Sequence, residues 1–147
     1  MSIKVIPPFL CILATVMLCR GQETPNPVHE KIIRDYFAGW VKKDWPRVAS
    51  QLAPGFTFTS AAPDDHIPVD KFKEKCWVQA EHIERFEFPR IVSNGNEAFA
   101  IVHVLTKNNK VIRNVEYFTF ENGKIKSIEV FFGGSGQGFP TNEEVRK

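Results

Sequence analysis

Two carboxylates, Glu116 and Glu129, lie within runs that alternate apolar and polar residues, and the pair Asp64-Asp65 stands directly before His66. A carboxylate shut among aromatic side chains loses hydration, and a second carboxylate nearby adds repulsion. Both effects raise a pKa towards neutrality, where a carboxyl group can give or take a proton. Asp65 beside His66 supplies the pattern of an orienting acid and a base. Each group also has an ordinary use. Either Glu can pair with Arg113 or Lys126 on an exposed sheet face, and Pro63-Asp64-Asp65 is a good turn sequence.

Other reactive residue types carry less. His103 stands between Val102 and Val104 in a strand pattern, where a lone histidine is usually a structural group, and His82 starts a strand as a solvated side chain. Cys76 falls on the apolar face of a helix with no histidine at a telling spacing, so it reads as core. His29, His66, His82 and His103 lack metal-ligand spacing, and no metal site is expected. No phosphate-cradling loop or dinucleotide fingerprint is present, and no cofactor is expected. Lys71, Lys73 and Lys75 are interleaved with Asp70 and Glu74, which describes a solvated helix face.

The elements that must position these groups follow from periodicity. Asn26 is a good N-cap and Pro27 suits the first helical position. Ile32, Ile33, Tyr36, Phe37, Trp40 and Val41 then form one apolar stripe, predicting an amphipathic helix over 27–43. Asp44 caps a second, shorter helix with Val48, Ala49 and Leu52 inward, ended by Pro54-Gly55. Residues 56–60 alternate as a half-buried strand, 61–68 form a loop, and Val69 to Trp77 a third helix. Four longer strands are expected at 83–92, 97–106, 111–120 and 124–132. Their separators, Asn94-Gly95-Asn96, Asn108-Asn109 and Asn122-Gly123, are hairpin signals. The sum is an α+β domain, with three helical segments packed on a curved antiparallel sheet.

The remaining sequence bounds the class. A length of 147 residues suits one domain plus a short appendage, and 43% apolar with 24% charged residues excludes disorder along the whole chain. The formal charge of +2 lacks the basic excess of a nucleic-acid binder. Residues 1–21 read as a signal peptide: a basic start at Lys4, an apolar run from Val5 to Leu18, and small residues at Cys19 and Gly21 to suit peptidase cleavage. An uncleaved anchor is the alternative, although the run is shorter than the roughly 20 residues of a membrane span. Cleavage would leave a secreted or periplasmic chain with no further membrane attachment. It would also leave Cys76 alone, so no internal disulfide is expected. The domain then occupies 22–133, and the glycine-rich, charged 134–147 reads as a flexible tail.

Taken in order, these elements carry a resemblance. They are the opening helix with Tyr36 and Trp40, Phe56-Thr57-Phe58-Thr59-Ser60 followed by Asp64-Asp65-His66, Cys76-Trp77, Arg113-Asn114-Val115-Glu116-Tyr117-Phe118-Thr119, and the close from Gly123-Lys124-Ile125 to Phe131-Phe132-Gly133. Over about residues 26–133 the chain resembles the cone-shaped NTF2-like fold, in particular its SnoaL-like branch. The resemblance implies a deep pocket between the concave sheet face and the helices. Alternation groups Ile125, Ser127, Glu129 and Phe131 on one face of the last strand, and Asn114, Glu116, Phe118 and Phe120 on one face of the strand before it. Periodicity alone does not choose the inward face; the resemblance favours Glu116 and Glu129 facing the cone. His66, Asp65, Glu129 and Glu116 are then the candidate catalytic groups. Tyr36, Trp40, Phe58 and Trp77, with Asn114, Phe118 and Phe131, are the candidate ligand-binding residues.

Three kinds of function fit. One is cofactor-free acid/base chemistry (isomerisation, dehydration or cyclisation) on a hydrophobic substrate. The second is noncatalytic binding of a small apolar molecule. The third is an interaction domain forming a homodimer through its sheet, as the resemblance implies. The residues leave enzyme status open.

Overall fold

The computed structural model describes residues 26–60 and 64–133; the signal peptide and the C-terminal tail expected from the sequence lie outside them. Helix α1 spans Pro27–Val41. Its start is fixed by the Asn26 side chain, which accepts a hydrogen bond from the Val28 amide at 3.1 Å, and by Pro27 in the first turn. The predicted stripe is the buried one: Ile32, Ile33, Tyr36, Phe37 and Trp40 face inward, while Val41 stays exposed. A tight turn with Lys43 at φ 54° leads into helix α2, Trp45–Ser50, capped by Asp44 on the Arg47 amide at 3.0 Å. Gly39 makes this turn compact. A Cβ there would lie 2.6 Å from the Val48 side chain, so only hydrogen fits between α1 and α2.

Strand β1 is Leu52–Ser60, longer than the sequence reading by four residues. Leu52 is therefore a strand residue and not part of the second helix. Pro54-Gly55 lies at an irregularity of the strand, where pairing with its neighbour shifts between Leu52 and Thr57 and Gly55 takes φ 74°. A short strand β2, Ile67–Pro68, pairs antiparallel with β1 and runs directly into helix α3, Val69–Cys76, followed by a 3-10 turn at Trp77–Glu81.

The long meander consists of β3 (Ile83–Asn94), β4 (Glu97–Thr106), β5 (Val111–Glu121) and β6 (Lys124–Phe132). All three predicted separators are turns that hold left-handed residues: Gly95, Asn109, Asn122 and Gly123 all have positive φ. The six strands form one sheet in the order β2-β1-β6-β5-β4-β3. It is not purely antiparallel, because β1 lies parallel to β6. Two register shifts in β3, near Glu84 and near Pro89, bend the edge strand around α1. A third shift lies between β5 and β6: Phe120 faces Ile125 but Thr119 faces Ser127, so Lys126 is an extra residue.

The concave face of this curved sheet meets α1 and α3. Fully buried Phe56, Phe72, Phe118, Ile125 and Ile128 form the floor and closed end of the core. The Phe37 ring is wedged against Phe86 and Phe88 of β3, at 4.6 and 5.0 Å between centroids. Aromatic packing of this kind fixes the helix over the sheet and leaves the other end of the cone open.

Candidate functional site

At the open end is a cavity of about 390 Å³. Helix α1 roofs it with Tyr36, Phe37 and Trp40, and α3 closes one side with Phe72 and Cys76. Strand β1 contributes Phe58 and Ser60, β3 Phe86, and β4 Val104. The sheet wall is built by alternation along β5 (Ile112, Asn114, Glu116) and β6 (Val130, Phe132). The rim carries Asp64, Gln79, His82 and Thr106. The lining is largely apolar, and among the described residues it includes no Lys or Arg.

Glu116 is the ionisable group at the centre of this wall. It is 6% exposed, and burial pushes its carboxyl up to about 7, opposed in part by the Asn114 side chain. At neutral pH it is thus divided between acid and carboxylate. Tyr36, also buried, has its phenol raised well above the ordinary value, first by burial and then by Glu116, so it remains a neutral donor. The Trp40 indole lies close enough to the phenol to oppose that shift slightly, yet its nitrogen meets no acceptor in hydrogen-bond geometry. The Cys76 thiol is pushed up to about 11, chiefly by burial and then by Asp64, and so is uncharged at neutral pH.

The candidates from sequence separate into groups. Glu116, Asn114, Tyr36, Trp40 and Phe58 meet at the cavity. Phe118 lies one step deeper, fully buried against Phe37, and belongs to the floor. Trp77 packs edge-on behind the roof, 4.9 Å from the Trp40 ring and 5.3 Å from Trp45, and supports the lining without joining it.

Glu129 and Phe131 stand on the outer face of the sheet. Glu129 lies opposite Tyr117, and Phe131 is 50% exposed opposite Val115. The extra residue Lys126 is the reason. It reverses the alternation after Ile125, so Ile125, Ile128, Val130 and Phe132 face inward while Ser127, Glu129 and Phe131 face outward.

Asp65 and His66 also lie outside the lining. They hydrogen-bond to each other with side chains 81% and 75% exposed, and His66 occupies a turn position at φ 50° with its amide on Thr59 Oγ1 at 3.0 Å. Their neighbour Asp64 reaches the rim instead, paired with Lys75. His103 points outward, across from Arg113 and Glu87. His82, read as solvated, is exposed at the rim.

The sequence reading missed Val130 and Phe132 as lining residues, for the same reason that it misplaced the face of Glu129. Ile112 was readable, since it shares the face of Asn114 and Glu116. Among the described residues no three His, Cys, Asp or Glu side chains gather to hold a metal ion. No described helix is long and apolar enough to cross a membrane.

The bent sheet, the roofing helix and the cavity between them define an NTF2-like, or cystatin-like, α+β cone. The chain belongs to the SnoaL-like domain family, whose pattern it matches over residues 33–128. Solved structures share the fold at low identity. A cystatin-like protein of unknown function from Methylobium petroleophilum superposes with a TM-score of 0.65 at 19% identity, over 79% of this chain and 84% of that one. A candidate ketosteroid isomerase from Kribbella flavida gives 0.61 at 14%, over 81% and 87%. A candidate SnoaL-like polyketide cyclase from Jannaschia gives 0.60 at 13%, over 73% and 86%. No curated protein matches the sequence. At these identities the likeness carries the fold, and function has to be argued from the site.

Proposed function

We propose that this domain is an exported small-molecule pocket protein in which Glu116 exchanges a proton with an uncharged hydrophobic substrate. The observation that carries the reading is one carboxyl, buried in an apolar cavity and held near pH 7 by burial. Such a group takes a proton as carboxylate and returns it as acid without a cofactor. Isomerisation, dehydration and cyclisation all need that exchange. Tyr36, neutral and buried beside Glu116, supports the reading as a donor for a developing oxyanion. The likeness to a candidate isomerase and a candidate cyclase is compatible with the same chemistry.

The test is hydrogen–deuterium exchange at the α-carbon of 2-decalone, a neutral bicyclic ketone, in D2O. The intact protein should accelerate exchange, and Glu116→Gln should lose about 100-fold or more of the acceleration, the scale of one positioned acid/base group. No acceleration by the intact protein would contradict the catalytic reading.

A second reading, noncatalytic binding, is favoured by the exposure of Asp65 and His66 and the outward position of Glu129. Among the described residues these leave Glu116 without a second carboxylate on the sheet wall, Asp64 being at the rim. Mass spectrometry of compounds extracted from native protein distinguishes the two: a binder yields one unaltered apolar ligand and no exchange activity.

We further propose that the chain is exported and pairs as a homodimer. The basic-apolar-small pattern of residues 1–21 supports export, and the N-terminus of the exported protein should be Gln22. A homodimer through the outer sheet face is supported by Phe99, Ile101, Val115 and Phe131, each 40–50% exposed. Glu97 lies at one end of this patch and Arg113 with His103 at the other. A two-fold axis across the strands would set each acidic end over the partner's basic end.

A further inference from the structure

Charge on the cavity lining is one-sided. Glu116 stands on the sheet wall and Asp64 at the rim, and among the described residues no Lys or Arg joins them. Asp64 already has a counter-charge, because Lys75 of α3 pairs with it. No cation acts on Glu116: burial dominates its titration, and Asn114, which opposes burial, is an uncharged amide. The surroundings are aromatic. Tyr36, Phe37 and Trp40 of α1, Phe58 of β1, Phe86 of β3 and Phe132 of β6 line the same cavity. Phe132 pairs across the sheet with Asn114, two residues along β5 from Glu116. Aromatic ring faces carry partial negative charge and attract cations. A carboxylate taken out of water without a counter-charge bears its desolvation cost in full. The carboxyl and the rings therefore favour the same kind of guest, one that brings a positive charge on an apolar body.

We propose that the cavity binds hydrophobic primary amines, held as ammonium ions that donate to the Glu116 carboxylate while their apolar bodies lie against the aromatic lining. Charge-assisted hydrogen bonds to the carboxylate and contact with ring faces offset the hydration that the ammonium gives up. An uncharged molecule of the same shape fills the space but leaves an ionised Glu116 without a counter-charge, and an anion is repelled by it. The inference rests on the reading of the cavity as a ligand site and not on catalysis. It goes beyond proton exchange with an uncharged substrate, because amine and substrate compete for one space and the amine acts as an inhibitor.

Three probes of one skeleton test it: 1-naphthylmethylamine, 1-naphthylmethanol and 1-naphthoate, with affinities measured by fluorescence. At pH 8 the intact protein should bind the amine roughly tenfold or more tighter than the alcohol, the yield of one charge-assisted hydrogen bond, and the naphthoate most weakly. Between pH 8 and pH 6 the amine affinity should fall about tenfold as Glu116, with its pKa of about 7, takes up a proton, while the alcohol affinity stays level. Glu116→Gln should bring amine and alcohol to similar affinity, and its binding of the alcohol shows that the variant is folded. Equal affinity for amine and alcohol in the intact protein at pH 8 would overturn the inference and leave the ligand site standing. An amine preference that survives in Glu116→Gln would also overturn it, assigning the cation to the rings or to Asp64 at the rim. Failure of all three probes to bind would remove the ligand site itself.

Discussion

A carboxyl whose pKa is raised by folding destabilises the fold wherever it must ionise. Glu116 moves from an ordinary 4.5 to about 7. Between those values the unfolded chain releases a proton that the folded chain retains, so the contribution to stability is present at pH 4 and falls as the pH rises through 7. Glu116→Gln should therefore be more stable than the parent at pH 8, by up to about 3 kcal/mol, with the difference vanishing towards pH 4. Urea midpoints at the two pH values measure this; an equal difference at both would place the carboxyl in contact with water. That Glu116 faces the cavity agrees with the alternation of β5, which has no bulge at that point. Glu129 had the same sequence credentials and lies on the other face, because one extra residue, Lys126, reverses the parity of β6. Nothing in Lys124-Ile125-Lys126-Ser127 marks a bulge in advance. His66 illustrates a second limit. Its neighbour Asp64 reaches the rim while Asp65 and His66 turn to solvent, a matter of loop dihedrals and not of residue type.

The helices and hairpins were largely legible because each has a local cause. Asn26 and Asp44 cap, the apolar stripe of α1 is buried as spaced, and glycine or asparagine stands at every left-handed turn position of the meander. Asn26→Ala should lower stability by about 1 kcal/mol, the usual value of an N-cap, measured by denaturant unfolding. The start of β1 was not legible. Pro54-Gly55 ordinarily ends a helix, and only pairing with β6 makes it an irregular strand. The closeness of α1 and α2 was likewise hidden. Gly39→Ala would place a methyl group against Val48 at 2.6 Å and 3.0 Å from its amide nitrogen. It should cost on the order of 1–3 kcal/mol by overpacking, and Trp40 should shift with the helix, weakening ligand binding. A variant as stable as the parent would show that the two helices separate freely.

The cone as a unit separates two surfaces with different uses. Its concave side encloses the cavity, and its convex side exposes an aromatic and aliphatic patch on which the Phe99 and Tyr117 rings stack at 4.7 Å. Solved structures at 13–19% identity share the fold, which shows how little of it depends on particular side chains. The order of elements was therefore readable, whereas the identity of the ligand depends on a few lining residues that no fold-wide pattern constrains. If the convex patch pairs two copies, sedimentation should give a dimer at micromolar concentration and a monomer for Phe99→Glu, with cavity binding unchanged. A monomer at every concentration would leave the patch unpaired. Proton exchange in the cavity depends on the environment of one side chain. Its most direct test is a ¹³C NMR titration of the labelled Glu116 carboxyl, assigned by loss of the signal in Glu116→Gln. A midpoint near 7 is expected. A midpoint near 4.5, the ordinary glutamate value, would contradict the account.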